Sequence, residues 1–156
     1  MRRLSALLIA VAGSTAMLAA LAAAPPAPAV GDAWARATPP GTPVGAVYLV
    51  IDNAGGKADR LLSVATDRAE RSEVHTMVHD GDLVKMRRVD PLHVGAGERV
   101  VFEPGGTHIM LMGLKSPLVE GESLTLVLQF EATGARHVEA RVVAATAAGP
   151  QSGHHP

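Results

Sequence analysis

Residues Ser123–Ala132, with the sequence SLTLVLQFEA, carry the pattern that decides the fold class. Large apolar side chains occupy every second position from Leu124 to Phe130, and this period of two is typical of a strand with one buried face. A second stretch, Val44–Asp52 (VGAVYLVID), is a short apolar run and predicts a buried strand. It ends at a turn sequence, Asn53-Ala54-Gly55-Gly56. Both stretches favour a β-sheet protein.

The rest of the chain repeats this organisation in short segments. Gly, Pro, Asn and Asp separate these segments at roughly 8–12-residue spacing, and no segment has the length and periodicity of a helix. The sequence therefore predicts an all-β, antiparallel sandwich or barrel. The further predicted strands are Arg60–Thr66, Ser72–His79, Asp82–Val89, Arg99–Glu103, His108–Met112 and His137–Ala145.

The N-terminal segment has the features of a secretory signal peptide. Two arginines precede an apolar run from Leu4 to Ala24, and small-residue cleavage sites end at Ala24 and Ala29. We expect cleavage after Ala29, because cleavage after Ala24 would leave Pro25 at the new N-terminus. A retained anchor is the alternative, since the run approaches the roughly 20 residues that span a bilayer.

We therefore expect a signal peptide at 1–29, one domain at 30–146 and a disordered tail at 147–156. The exported protein would not insert into a membrane. Removing two arginines leaves 14 − 2 = 12 Lys+Arg against 15 Asp+Glu. This mildly acidic balance gives no indication of nucleic-acid binding. The chain has no cysteine, which excludes thiol nucleophiles, thiolate metal sites and a lipid-bearing cysteine.

Histidine and methionine occur in a pattern that suggests a metal site. His108 and Met110 lie two residues apart in a predicted strand, so they point to the same face. A two-residue loop at Asp80-Gly81 would place His75 directly opposite Met86, with Cβ atoms about 5 Å apart. A three-residue loop would instead turn one of these two side chains away. The preferred register gives two pairs of donors.

Two imidazoles and two thioethers form a soft, neutral donor set. Calcium and magnesium prefer oxygen ligands, and zinc sites use Cys, His, Asp or Glu. Thioether sulfur with imidazole suits Cu(I). Because imidazole must be neutral to bind a metal, copper affinity should fall as the pH drops through the region near about 6.5.

Other His and Met residues have simpler interpretations. Methionine in a strand usually fills the core, and histidine near a turn is usually solvated. The same structural interpretation is an alternative for each of the four candidate ligands when it is considered alone. We expect core packing for Met77 and Met112, although either could be a spare thioether. The neighbouring histidines on the tail could bind Cu(II) weakly. We assign no metal role to His79, His93 or His137, and the tail histidines are His154 and His155.

The spacing His75-x₁₀-Met86-x₂₁-His108-x-Met110 matches the signature of the periplasmic copper chaperone family PCu(A)C. Segments 33–37, 104–108, 110–115 and 124–130 also resemble family landmarks, so the resemblance covers residues 30–145. It implies a single-domain, cupredoxin-like Greek-key β-sandwich in the periplasm. It further implies that these four side chains bind one Cu(I).

The resemblance also implies an acceptor for the copper. Family members help to assemble the Cu(A) centre in subunit II of cytochrome c oxidase, in some cases with a Sco-type protein, and we expect a monomer. A passive copper buffer without a dedicated acceptor is the alternative. An enzyme is not expected, because no catalytic motif is present. A blue-copper electron carrier would need a cysteine thiolate, which this chain lacks.

Overall fold

The computed structural model describes residues 26–149. The predicted signal segment up to residue 25, and the tail histidines His154 and His155, lie outside this range. Within it the chain forms ten strands, and no helix there is long and apolar enough to cross a membrane. In chain order the strands are β1 (Ala29–Arg36), β2 (Val44–Asp52), β3 (Asp59–Ala65), β4 (Ala69–Asp80), β5 (Leu83–Arg88), β6 (Leu92–Val94), β7 (Arg99–Val101), β8 (His108–Leu114), β9 (Ser123–Phe130) and β10 (Gly134–Val143).

The strands follow one another in the order β5-β4-β8-β2-β1-β10-β9-β3-β6, and β7 pairs with β2. The predicted all-β sandwich in a single domain is confirmed. The prediction that it is wholly antiparallel is wrong in one place, because β1 and β10 pair in parallel, with Trp34 opposite Arg141. A parallel pair needs a long connection, and almost the whole described chain lies between these two strands.

The core lies between the two halves of this sheet. The alternation predicted for β9 is present, with each second residue from Leu124 to Phe130 buried. The facing half supplies Val47 and Leu49 of β2 and Ile109 and Leu111 of β8. Because side chains alternate between faces along a strand, His108 and Met110 of β8 lie on the outer face. The core thus fixes which face carries the candidate donors.

The strands β1 and β6 were not predicted. In β1 the register shifts between Gly31 and Trp34, and Asp32 has a φ of 51°. This irregularity breaks the apolar alternation that identifies a strand from sequence. With only three residues, β6 is too short to show a period. β1 nevertheless joins the two halves of the sheet through its pairs with β2 and β10.

The β4–β5 hairpin has a different register from the one predicted. Asp80 pairs with Leu83, so the two loop residues are Gly81 and Asp82. Gly81 has a φ of 62°, as expected for a loop with glycine at its first central position. The predicted Asp80-Gly81 loop would have placed an aspartate there instead. The prediction that His75 lies opposite Met86 is therefore wrong: Met77 faces Met86, and His75 faces Arg88.

A buried carboxylate joins β3 to the turn between β9 and β10. Asp59 accepts hydrogen bonds from the backbone N–H groups of Arg60, Ala132 and Thr133 and from the Thr133 hydroxyl. Burial raises the pKa of Asp59, but these hydrogen bonds outweigh that effect and hold the pKa below its ordinary value. Asp59 is therefore an ionised anchor of the strand layer that faces away from the candidate site.

Candidate metal centre

The candidate donors lie on the outer face of four neighbouring strands, β5, β4, β8 and β2. A surface cavity of about 390 Å³ opens on this face. Three of the four predicted ligands, Met86, His108 and Met110, line it together. The small side chain of Ala46 pairs with Met110 across the β2–β8 ladder and leaves room beside it. The other lining residues are Arg36, Thr38, Val44, Gly45, Tyr48, Met77 and Gly105.

The three lining donors differ strongly in exposure. His108 is only 7% exposed, whereas Met86 is 47% exposed on β5, the edge strand. Met110 is partly buried in the middle of β8. The cavity therefore has a fixed inner wall, formed by His108 and Met110, and a solvent-facing side that carries Met86.

His75 lies beside the cavity and does not line it. It is directly opposite His108 in the β4–β8 ladder, and the centres of the two imidazole rings are 6.1 Å apart, with their planes at 42°. The different hairpin register moves Met86 two residues along β5 relative to its predicted partner. A shift of two residues preserves the face, so His75 and Met86 remain on the same side of the sheet.

The hydrogen bonds of His75 fix its tautomer. Its Nε2 lies 2.9 Å from Oε2 of Glu73. The pKa of the Glu73 carboxyl is lowered, mainly by its hydrogen bond with His75. Partial desolvation acts in the opposite direction, and the nearby charges of Arg88 and Arg71 lower the pKa further. An ionised carboxylate can only accept, so Nε2–H donates. In a neutral ring the lone pair is then on Nδ1, which is buried without a hydrogen-bond partner.

His108 adopts the opposite tautomer. Its Nδ1 lies 3.1 Å from the carbonyl oxygen of Gly106, and because a carbonyl only accepts, Nδ1–H must donate. The free lone pair of a neutral ring is then on Nε2. The turn that holds this carbonyl closes with two backbone hydrogen bonds between Glu103 and residues 106 and 107. Each candidate imidazole thus has one nitrogen fixed by the protein and one available, as is usual for metal-binding histidines.

The sequence analysis missed two features of this site. Glu73 is two residues before His75 in one strand, so the spacing alone could have placed the carboxylate on the same face. Met77 was expected in the core, yet it is absent from the buried cluster and lines the cavity. Met112 is likewise outside that cluster, and its sulfur is 3.6 Å from a guanidinium nitrogen of Arg71.

Four aromatic side chains of the described residues are buried, whereas three histidines outside the candidate site are exposed. Trp34 and Tyr48 are buried against each other, with ring centres 4.4 Å apart and ring planes tilted by 35°. The Arg36 guanidinium lies 5.8 Å from the centre of the Tyr48 ring. Phe102 and Phe130 are buried in the core. The three histidines that were assigned no metal role, at positions 79, 93 and 137, are exposed.

The fold and this face together define a class: a small β-sandwich with soft imidazole and thioether donors gathered at one end of the sheet. The LpqE-like family model, described as "Putative lipoprotein LpqE-like", matches residues 29–142. The chain belongs to this PCuAC-type family, and the resemblance seen in the sequence is confirmed.

Two curated relatives match over part of their length. "Putative lipoprotein Lxx21020" of Leifsonia xyli is 29% identical over 102 residues, which cover 65% of this chain and 60% of that protein. "Uncharacterized protein RP573" of Rickettsia prowazekii is 29% identical over 98 residues, covering 62% and 54%. The chain thus matches little more than half the length of either relative.

Solved structures give the closer comparison of folds. The solution structure of CuI-DR1885 from Deinococcus radiodurans is 31% identical, with a TM-score of 0.63, and the alignment covers 80% of this chain and 83% of that one. The copper-bound PCuAC domain from PmoF2 has a TM-score of 0.66 at 24% identity, covering 78% and 96%. At that identity the second likeness supports the fold alone.

Proposed function

We propose that this chain is an exported copper chaperone that binds one Cu(I) through His75, Met86, His108 and Met110. The proposal rests on the positions of these four side chains and on a buried nitrogen without a hydrogen-bond partner. Met86, His108 and Met110 line one cavity, and the fourth donor, His75, lies opposite His108 and has a buried Nδ1 without a hydrogen-bond partner. A buried nitrogen without a partner is costly in a folded protein. A metal ion would satisfy it.

The donor chemistry favours Cu(I) as the bound ion. Thioethers are soft and uncharged, and a metal binds the imidazole in its neutral form. In that form each of the two rings has one nitrogen bonded to the protein and one with a lone pair. The two imidazole rings are directly opposite each other in the β4–β8 ladder, with their centres 6.1 Å apart. The site has no thiolate, because the chain has no cysteine, so an acceptor with thiolates would bind copper more strongly.

The uneven exposure of the donors gives a route for transfer. An acceptor ligand approaching from solvent meets Met86 first, because this residue is half exposed on the edge strand. Displacement of Met86 would form an intermediate in which copper is shared between the two proteins. His108 and Met110, held in the central strand β8, would release the ion last. This order follows ligand exchange and requires no change in oxidation state.

The family context supports delivery outside the cytoplasm. One solved relative, at 31% identity, is a Cu(I)-bound protein, and the family description refers to lipoproteins, which are exported. We place the protein in the periplasm and assign it no enzymatic activity. Its acceptor would be subunit II of cytochrome c oxidase, at the Cu(A) centre, or a Sco-type protein. Weak Cu(II) binding by His154 and His155 would be separate from this site.

The test is an anaerobic Cu(I) titration of the exported protein against a competing chelator, with X-ray absorption at one equivalent. One ion per chain with mixed nitrogen and sulfur scattering is expected, and the double variant His108→Ala/Met110→Leu should lose it. The matched control is His137→Ala/Met112→Leu, which removes one histidine and one methionine that do not line the cavity. Nitrogen-only binding that disappears with the tail histidines would contradict the proposed site.

A passive copper buffer is the second candidate, and it would use the same donors. The two functions differ in the rate of transfer. A chaperone should pass Cu(I) to an apo acceptor faster than dissociation into solution permits, whereas a buffer should transfer at the dissociation rate. Stopped-flow transfer to the apo Cu(A) domain distinguishes them, because only a chaperone gives a rate that rises with acceptor concentration.

A further inference from the structure

Met77 is not one of the four residues of the His75-x₁₀-Met86-x₂₁-His108-x-Met110 pattern. It lies in β4, two residues after His75, and faces Met86 directly across the β4–β5 ladder. Directly opposed residues of an antiparallel pair have Cβ atoms about 4.5–5.5 Å apart and share a face. Met77 also lines the cavity together with Met86, His108 and Met110. A third thioether is therefore within the same cavity.

His75, two residues before Met77, lies beside this group of cavity-lining donors. The Nε2 of His75 donates to Glu73, and His75 is absent from the cavity lining. In this arrangement the donors that line the cavity are one imidazole and three thioethers. Four donors suffice for a closed four-coordinate site, and three thioethers with one imidazole remain a soft, neutral set suited to Cu(I).

We propose that Met77 is a copper ligand that exchanges with His75. The site would then have two donor sets that share Met86, His108 and Met110 and differ only in the fourth ligand. This inference rests on the proposed function, since it concerns the same ion. Met77 would then be an alternative fourth ligand: when His75 leaves the copper, Met77 takes its place and the ion stays four-coordinate.

The exchange has a chemical consequence for the bound ion. The set with His75 has two nitrogens and two sulfurs, whereas the set with Met77 has one nitrogen and three sulfurs. Sulfur-rich coordination favours Cu(I) over Cu(II) more strongly. The His75→Ala variant should therefore still bind one Cu(I), with a higher ratio of sulfur to nitrogen scattering than the parent protein.

The experiment compares four variants of the exported protein: Met77→Leu, His75→Ala, the double variant of both, and Met112→Leu. The last is the matched control, because Met112 shares the outer face of the sheet but does not line the cavity. Cu(I) affinity is measured by chelator competition, and coordination by X-ray absorption. Methyl resonances of ¹³C-labelled methionines, recorded with and without Cu(I), report directly on the Met77 sulfur.

We expect the double variant to bind Cu(I) at least about ten-fold more weakly than His75→Ala, a difference of about 1.4 kcal/mol. Met112→Leu should equal the parent protein. The proposal is overturned if Met77→Leu has no effect in the His75→Ala background, or if His75→Ala binds no copper while folded. Thermal unfolding of the apo forms checks folding, and His75→Gln replaces the alanine variant if that one unfolds.

The two proposals fail in different ways. If the copper site itself is wrong, His108→Ala/Met110→Leu retains its copper, and every Met77 comparison becomes irrelevant to function. If only the exchange is wrong, the parent protein binds one Cu(I) that depends on His108 and Met110, and the Met77 methyl resonance does not move when copper is added.

Discussion

Neighbouring residues of β8 provide a direct test of the face assignment on which the site depends. Ile109 is fully buried in the core, and Met110 lines the cavity on the opposite face. Substitution of Ile109 should therefore lower the stability of the fold and leave Cu(I) affinity unchanged. Substitution of Met110 should weaken Cu(I) binding with little effect on stability. The two substitutions are Ile109→Val, which removes one methylene, and Met110→Leu, which removes the sulfur at almost constant volume.

The expected magnitudes follow from burial. Ile→Val at a buried site costs about 0.5–1.5 kcal/mol of unfolding free energy. For a domain of this size each kcal/mol shifts the Tm by about 4 °C, so Ile109→Val should lower the Tm by about 2–6 °C. Met→Leu swaps usually cost less than about 1.5 kcal/mol even in a core, and Met110 is only partly buried. Its loss should instead weaken Cu(I) binding about ten-fold or more.

Two measurements on the same samples test which face of β8 meets the cavity. They are thermal unfolding of the apo protein by circular dichroism and Cu(I) affinity by chelator competition. The parent protein is the reference for both. The reasoning is refuted if Met110→Leu keeps the parent affinity, or if Ile109→Val loses copper while it remains folded. Either result would mean that β8 presents a different face to the cavity.

Two further substitutions test residues outside the proposed donor set: Glu73, which bonds His75, and Asp59, which stabilises the fold. Glu73→Ala should weaken Cu(I) binding about 10–100-fold, the usual effect of losing a carboxylate that orients a ligating histidine. Glu73→Gln still offers an acceptor to His75 and should restore part of the affinity. Equal affinities for the parent protein and both variants in chelator competition would exclude an orienting role for Glu73. Asp59→Asn should destabilise the fold by about 1.5–3 kcal/mol without changing copper affinity. Since the folded pKa of Asp59 is depressed, its contribution is present above the unfolded value of about 3.9 and is lost as the pH falls through the folded pKa. Denaturant unfolding should therefore show a gap between the parent protein and Asp59→Asn that narrows below about pH 4, and a constant gap would contradict the assignment.

The fold class could be predicted because one face of each long strand is buried. The alternation in β9 requires a half-buried strand, and the structure has one there. The same logic placed His108 and Met110 on a single face of β8. The strands β1 and β6 were missed because a bulge and a length of three residues remove the periodic signal.

The hairpin register shows where sequence reasoning reaches its limit. Asp80, Gly81 and Asp82 admit two loops of two residues, and the choice depends on which position takes a positive φ. Glycine takes it most easily, so the loop starts at Gly81. The resulting shift of two residues kept the candidate donors on one face of the sheet, but it brought Met77, instead of His75, opposite Met86.

The sequence could place Glu73 on the same face as His75, but it could not predict the hydrogen bonds of the two imidazoles. The contact between His108 and Gly106 depends on a turn geometry that no residue pattern specifies. The contact between His75 and Glu73 depends on a choice of rotamer. These contacts determine which nitrogen is free, and such detail appears only when the backbone and side chains are placed together.

The outermost strand has a consequence for how the domain moves. All six residues of β5 are exposed, and the strand is paired on one side only, to β4. Segments with few buried contacts open at a small fraction of the free energy of global unfolding. β5 can therefore separate from β4 and pair with it again while β4 remains paired with β8 and the core stays closed. Amide protons of β5 should accordingly exchange with solvent much faster than those of β8, and an ion held by both strands would slow that exchange.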